Sequence, residues 1–265
     1  MTGSARRRSV AALAACTSLA LLTGCGSGTS GTDENGDSTT AATTPPAPPR
    51  VDLAPFEGVP APTVPAGATP ITDNAFLAGR LLTIADLPAG WTGYDLPPLD
   101  PSSPGASAED RSSTDPADCG AVLAPIATAV PGGVSAASVT YGGPDFSSLD
   151  QDAASYDGDG AARAFASIQD TLARCGEFSG TDADGVRVDY RVGASTLFTG
   201  AYATAPGDAT VAARLQVTSD GVELTTDAVI TLVGASVTQT VATGLEPVDP
   251  QLVRALATTA ADRLR

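Results

Sequence analysis

Between residues 186 and 241 apolar side chains keep returning at every second position, and a period of two belongs to strands rather than helices. Val186, Val188, Tyr190 and Val192 alternate with Arg187, Asp189 and Arg191, which gives one apolar face and one solvated, cross-paired charged face. The alternation resumes with Ala213, Leu215 and Val217 against Arg214 and Gln216. It continues through Val222, Leu224, Ala228, Ile230 and Leu232, and then Val237 and Val241. Asp220-Gly221 and Gly234-Ala235 fall between these runs as hairpin turns, because Asp and Gly tolerate the left-handed backbone that such turns require. Upstream, residues 137–141 and 146–156 read as a further hairpin.

Helical spacing appears before, between and after the strands. Asp73 caps a helix carrying Phe76, Leu77, Leu81 and Ile84, which Pro88-Ala89-Gly90 ends. Residues 97–115 are Pro-, Ser- and Asp-rich and read as a surface loop. Asp115-Pro116 opens a short helix with Cys119, Val122, Leu123 and Ile126 inward. Asp159-Gly160 opens another, with Phe165, Ile168, Leu172 and Cys175 on one side and Gly176 at its end. Asp249-Pro250 opens the last, with Leu252, Val253, Leu256, Ala260 and Leu264 inward. The fold class is therefore α+β: an antiparallel sheet of about five to six strands, packed on one face against helices.

The first 70 residues stand outside that domain. Arg6-Arg7-Arg8 precedes an apolar run from Val10 to Leu22, shorter than the roughly 20 residues a membrane-spanning helix needs, so it reads as a cleaved leader. Leu22-Thr23-Gly24-Cys25 resembles a bacterial lipobox. That resemblance implies cleavage after residue 24, acylation of Cys25, and an anchor on the outer face of the cytoplasmic membrane. The alternative is an ordinary secretory signal. Residues 25–70, rich in Gly, Ser, Thr and Pro, read as a disordered tether, and residues 71–265 as the domain.

Charge narrows the partners. Without the leader, eleven arginines face thirty acids, a net charge of −19. Such a surface repels nucleic acid and gives no help on anionic lipid, so membrane attachment falls to the acyl chains. Once Cys16 leaves with the leader and Cys25 takes lipid, Cys119 and Cys175 remain. An exported location permits them to form a disulfide; the alternatives are free thiols or a metal site, for which the chain supplies no histidine.

The stretch from Leu81-Leu82-Thr83 through Asp86-Leu87-Pro88-Ala89-Gly90-Trp91, the helix ending in Cys175, the β-meander and the terminal helix together resemble actinobacterial sensor-domain lipoproteins. These are similar to the extracellular sensor domain of a mycobacterial serine/threonine receptor kinase. The resemblance covers residues 75–265. It implies an α+β domain with a cleft that binds a small molecule or envelope component, and a signal handed to a partner protein. The kinase relative carries two disulfides, whereas the mature domain here has cysteines for one.

With neither histidine nor lysine, the chain lacks the usual general base and Schiff-base amine. The reading is a noncatalytic sensor that binds an envelope ligand or partner protein, without cofactor or metal. Trp91 and Tyr94 read first as core anchors and second as the edge of a ligand cleft. The rival reading is a carboxylate-dependent hydrolase of cell-wall glycans, for which a pair of acids about 5 to 10 Å apart in a deep cleft would speak. Asp150, Asp152, Asp157 and Asp159 are the obvious acids, and they read as loop and helix-cap residues. A flat interaction surface is the third possibility.

Overall fold

A computed structural model describes residues 52–63, 68–94, 112–199 and 204–265. The leader, Cys25 and most of the tether lie outside these residues. The described strands are β1 (Thr92–Tyr94), β2 (Ser113–Asp115), β3 (Ser135–Gly142), β4 (Ser148–Ser155), β5 (Glu177–Thr181), β6 (Arg187–Ala194), β7 (Ala209–Ser219), β8 (Val222–Val233) and β9 (Ser236–Gly244). They form one antiparallel sheet in the order β1-β3-β4-β9-β8-β7-β6-β5-β2. Both expected turns are present: Asp220 and Gly221 take φ of 48° and 79°, and Gly234 takes 55°.

Among the described residues the sheet has nine strands where about five to six were expected. The additional strands, β1, β2 and β5, have three, three and five residues, too few to display a period. β2 also falls at the end of the stretch read as a loop. Helices cover both faces instead of one, because the central strands are apolar on both sides. Ala228, Ile230 and Leu232 of β8 enter one core, while Val229 and Val233 of the same strand enter the cores on the opposite side.

On the first face lie α3 (Gly160–Arg174), the 3₁₀ turn Ala117–Val122 and the short α2 (Ile126–Ala129). Phe165, Leu172 and Ile126 pack there against Val211, Leu215, Ile230 and Val237. Cys119 and Cys175 join this turn to the end of α3, with an S–S distance of 2.03 Å and Cα atoms 5.6 Å apart. The disulfide expected from the sequence is therefore present. On the second face, α4 (Pro250–Arg263) buries Val253, Leu256, Ala257 and Ala260 against Leu149, Val229 and Ala242. The Asp249 carboxylate caps α4 by accepting from Gln251 N–H at 2.9 Å.

Three local readings are corrected. The first helix, α1, spans only Asn74–Ala78, so Leu77 and Leu81 are buried but Phe76 and Ile84 are about half exposed. Phe76 lies under the Arg80 guanidinium, and Ile84 opens a separate 3₁₀ turn. Residues after Pro116 form a 3₁₀ turn rather than one helix through Ile126, which leaves Leu123 exposed. The packed unit also begins before residue 71. Phe56 and Ala61 lie against the first core, Ala54 C=O accepts from Ala194 N–H at 2.8 Å, and Val59 N–H donates to Gln169 Oε1 at 2.6 Å.

Candidate functional site

Helices do not fill the first face. Beyond α3 and the disulfide, the sheet floor lies open beside residues 122–125, which form a wall of Val122, Leu123, Ala124 and Pro125. The resulting groove has a volume of about 450 Å³, within the range of small-molecule sites. Leu123 is exposed because it stands on this wall.

Strand register sets the chemistry of the floor. Thr140 of β3 pairs with Asp150 of β4, Asp150 with Val241 of β9, and Val241 with Ala228 of β8. Cross-strand partners share a face, so these four side chains form one row across the groove. A parallel row holds Asp152 and Gln239, and Leu215 and Val217 of β7 close the far end. The groove is thus acidic at β4 and aliphatic at β7.

Each carboxyl is held by named donors. Asp152, 8 % exposed, accepts from Ile126 N–H at 2.7 Å, and this bond ties the wall segment to the floor. Burial pushes the Asp152 carboxyl up to about 7; the Ile126 hydrogen bond works against that rise, and the neighbouring Asp150 charge adds to it. Asp150 is half-buried and accepts from Thr140 Oγ1 at 2.7 Å. Burial raises its pKa as well, with hydrogen bonds from Thr140 and Ser148 opposing. Among the described residues lining the groove, no arginine stands opposite these acids.

Trp91 and Tyr94, read first as core anchors and second as the edge of a cleft, separate. Trp91 packs with Leu82, Tyr141 and Leu149 on the second face, its indole so close to Gly143 that a Cβ there would lie 2.8 Å from the ring. Tyr94 pairs with Thr140, so it stands on the groove's face of the sheet, one strand outside the lining residues. Its ring lies where a side chain on Gly142 would be. Trp91 is therefore a core anchor, and Tyr94 is 58 % exposed at the groove's outer margin.

The acids read as loop and cap residues also separate. Asp159 precedes α3 and pairs with Arg163 on the surface, and Asp157 is exposed. Asp150 and Asp152 instead enter the groove. The signal that finds them is their own alternation with Leu149, Gln151 and Ala153, which places both on one face of a strand. Among the described residues no group of three or more Cys, Asp or Glu is placed to hold a metal ion, and no helix is long and apolar enough to cross a membrane.

No protein-family description matches the chain, and no curated protein does. Solved structures do. The crystal structure of the extracellular domain of PknH from Mycobacterium tuberculosis aligns over 74 % of this chain and 100 % of its own, with a TM-score of 0.53 and 12 % identity. The chain has the fold of that extracellular domain. This agrees with the sensor-domain resemblance carried by residues 81–91 and the β-meander. An uncharacterised protein from Mycobacterium smegmatis, an ortholog of Rv0999, aligns over 73 % of this chain and 97 % of its own, at a TM-score of 0.37 and 16 % identity.

Proposed function

We propose that the protein is a noncatalytic, extracytoplasmic ligand-binding sensor domain, held on the outer face of the cytoplasmic membrane by lipid on Cys25. The observation that carries the binding role is the 450 Å³ groove left uncovered on a sheet face that is otherwise packed. The PknH-like fold supports an extracytoplasmic setting, and so does the Cys119–Cys175 bridge, since disulfides persist in oxidising compartments.

Asp150 and Asp152 also bear on the hydrolase alternative. Residues two apart on one strand have Cα atoms about 7 Å apart and point the same way. Glycoside hydrolysis needs one carboxyl on each side of the scissile bond. Here both reach the groove from β4, side by side, an arrangement suited to gripping a ligand and poorly suited to flanking a bond.

Two measurements test the proposal. Melting curves of the purified protein are recorded with envelope lipid extract and with soluble peptidoglycan fragments. One of these is expected to raise the Tm with concentration, because a ligand of the native state stabilises by mass action. Val241→Trp, which fills the middle of the floor, is expected to abolish the rise. A rise that survives in Val241→Trp would place the ligand elsewhere. Separately, cells fed labelled palmitate are expected to label the wild-type protein and not Cys25→Ser; equal labelling of both would refute the anchor.

A further inference from the structure

The groove's two ends differ in kind, and the difference runs across the strands. At β4 stand two carboxyl groups; three strands away, about 14 Å at the usual interstrand spacing, stand Leu215 and Val217. Between them lie Val241 and Ala228, flanked by Gln239, Thr226 and Thr243, with Val122 and Pro125 as wall. No basic side chain among the described residues lines the groove, so its charge is uncompensated from within. We infer that the groove takes a small amphiphile with a positively charged end, its cation against Asp150 and Asp152 and its apolar body across β9, β8 and β7; this rests on the groove being the ligand site.

The alternatives fit the lining less well. An anionic amphiphile would bring like charge to the half-buried Asp150 carboxylate, where repulsion is little screened. A neutral one would leave both carboxyls desolvated without a counter-charge. A hard divalent ion takes about six to eight oxygen ligands, and no cluster of three metal-ligating side chains is present among the described residues. The raised pKa of both acids has the same origin: burial penalises their charged forms, and a bound ammonium would offset that penalty. The volume suits a single-chain amine rather than a peptide helix, whose diameter with side chains is about 10 Å.

The test uses decylammonium, decanol and decanoate, each below its micelle-forming concentration. Binding to the purified protein is followed by calorimetry and by amide shifts in a two-dimensional NMR spectrum. Decylammonium is expected to shift the amides of Asp150, Ala228 and Val241, and to bind about tenfold or more tightly than the other two, as a charge-assisted hydrogen bond implies. Asp150→Asn together with Asp152→Asn, which keep oxygens to accept from Thr140 and Ile126, is expected to remove that preference, so that decylammonium binds no more tightly than decanol. Equal affinity for all three, or a preference that survives when both aspartates are replaced, overturns the cationic assignment and leaves the groove reading in place. No shift of groove amides with any of the three overturns both.

Discussion

Asp152→Asn is expected to stabilise the protein at about pH 8 by about 4 kcal/mol and to change little at about pH 4. The sign follows from linkage. Burial pushes the Asp152 carboxyl up to about 7 from 3.8, so between these values the folded protein holds a proton that the unfolded chain has released. Stability is fully present below the unfolded pKa and falls as pH rises toward the folded one. Three pKa units at 1.36 kcal/mol each give about 4 kcal/mol. Asp150, whose pKa is also raised, contributes in the same direction, and Tyr156 is pushed up to about 12 by burial and the Asp152 charge. Asparagine keeps an oxygen to accept from Ile126 N–H and carries no charge at any pH. Urea unfolding followed through the single tryptophan, Trp91, at several pH values measures both curves. Parallel curves for wild type and variant would mean that Asp152 is ionised throughout and that the groove is wetter than its burial implies.

Removing the disulfide with Cys119→Ser and Cys175→Ser together is expected to cost about 4 kcal/mol, because the bridge closes a loop between residues 56 apart. For a domain of this size that lowers Tm by about 12 °C. The site makes the loss local as well as global. Cys119 lies in the turn that leads directly into Val122–Pro125, so this wall of the groove is fastened to α3 through the bridge and to β4 through Asp152. The double variant is expected to bind a groove ligand more weakly even at temperatures where it is fully folded. Thermal and urea unfolding with and without reductant check the first effect, and titration of the folded variant checks the second. A melting point unchanged by reductant would show that the bridge contributes nothing to stability.

How much of this was legible in the sequence depends on how each stretch displays its burial. β6 was plain because one of its faces is solvated: Arg187 pairs with Asp189, and Arg191 reaches Glu177 and Gln216. The sequence of β8 displays a strand but not its two-sided burial. Ala228 to Val233 is an almost unbroken apolar run, and the period-two reading kept Ala228, Ile230 and Leu232 while passing over Val229 and Val233. That omission is why helices were expected on one face. Phe76 and Ile84 fit a helical period although the helix ends at Ala78, since spacing reports only what a helix would do if it continued. The paired cysteines were readable from compartment and number. The groove was not, because it is a gap between the helices on one face, and no residue type marks a gap. Trp91, the only tryptophan, lies in the opposite core, whereas two ordinary aspartates of β4 supply the site's charge.

The sheet's ends carry a consequence of a different sort. β1 and β2 follow one another among the described strands, yet they stand at opposite edges of the sheet. Each has three residues: β1 covers only Thr140–Gly142 of β3, and β2 covers Ser179–Thr181 of β5. An open antiparallel sheet can recruit a further strand wherever a row of unpaired backbone groups is long enough to hold register. Three-residue borders, one including Gly93 and the other followed at once by Pro116 with no N–H to donate, offer a newcomer almost nothing to align with. The two terminal strands are thereby poor templates for chain-to-chain polymerisation, and the part of β3 that β1 leaves uncovered, Ser135–Val139, lies beside α1, where Asn74 Oδ1 accepts from Ala136 N–H at 3.0 Å.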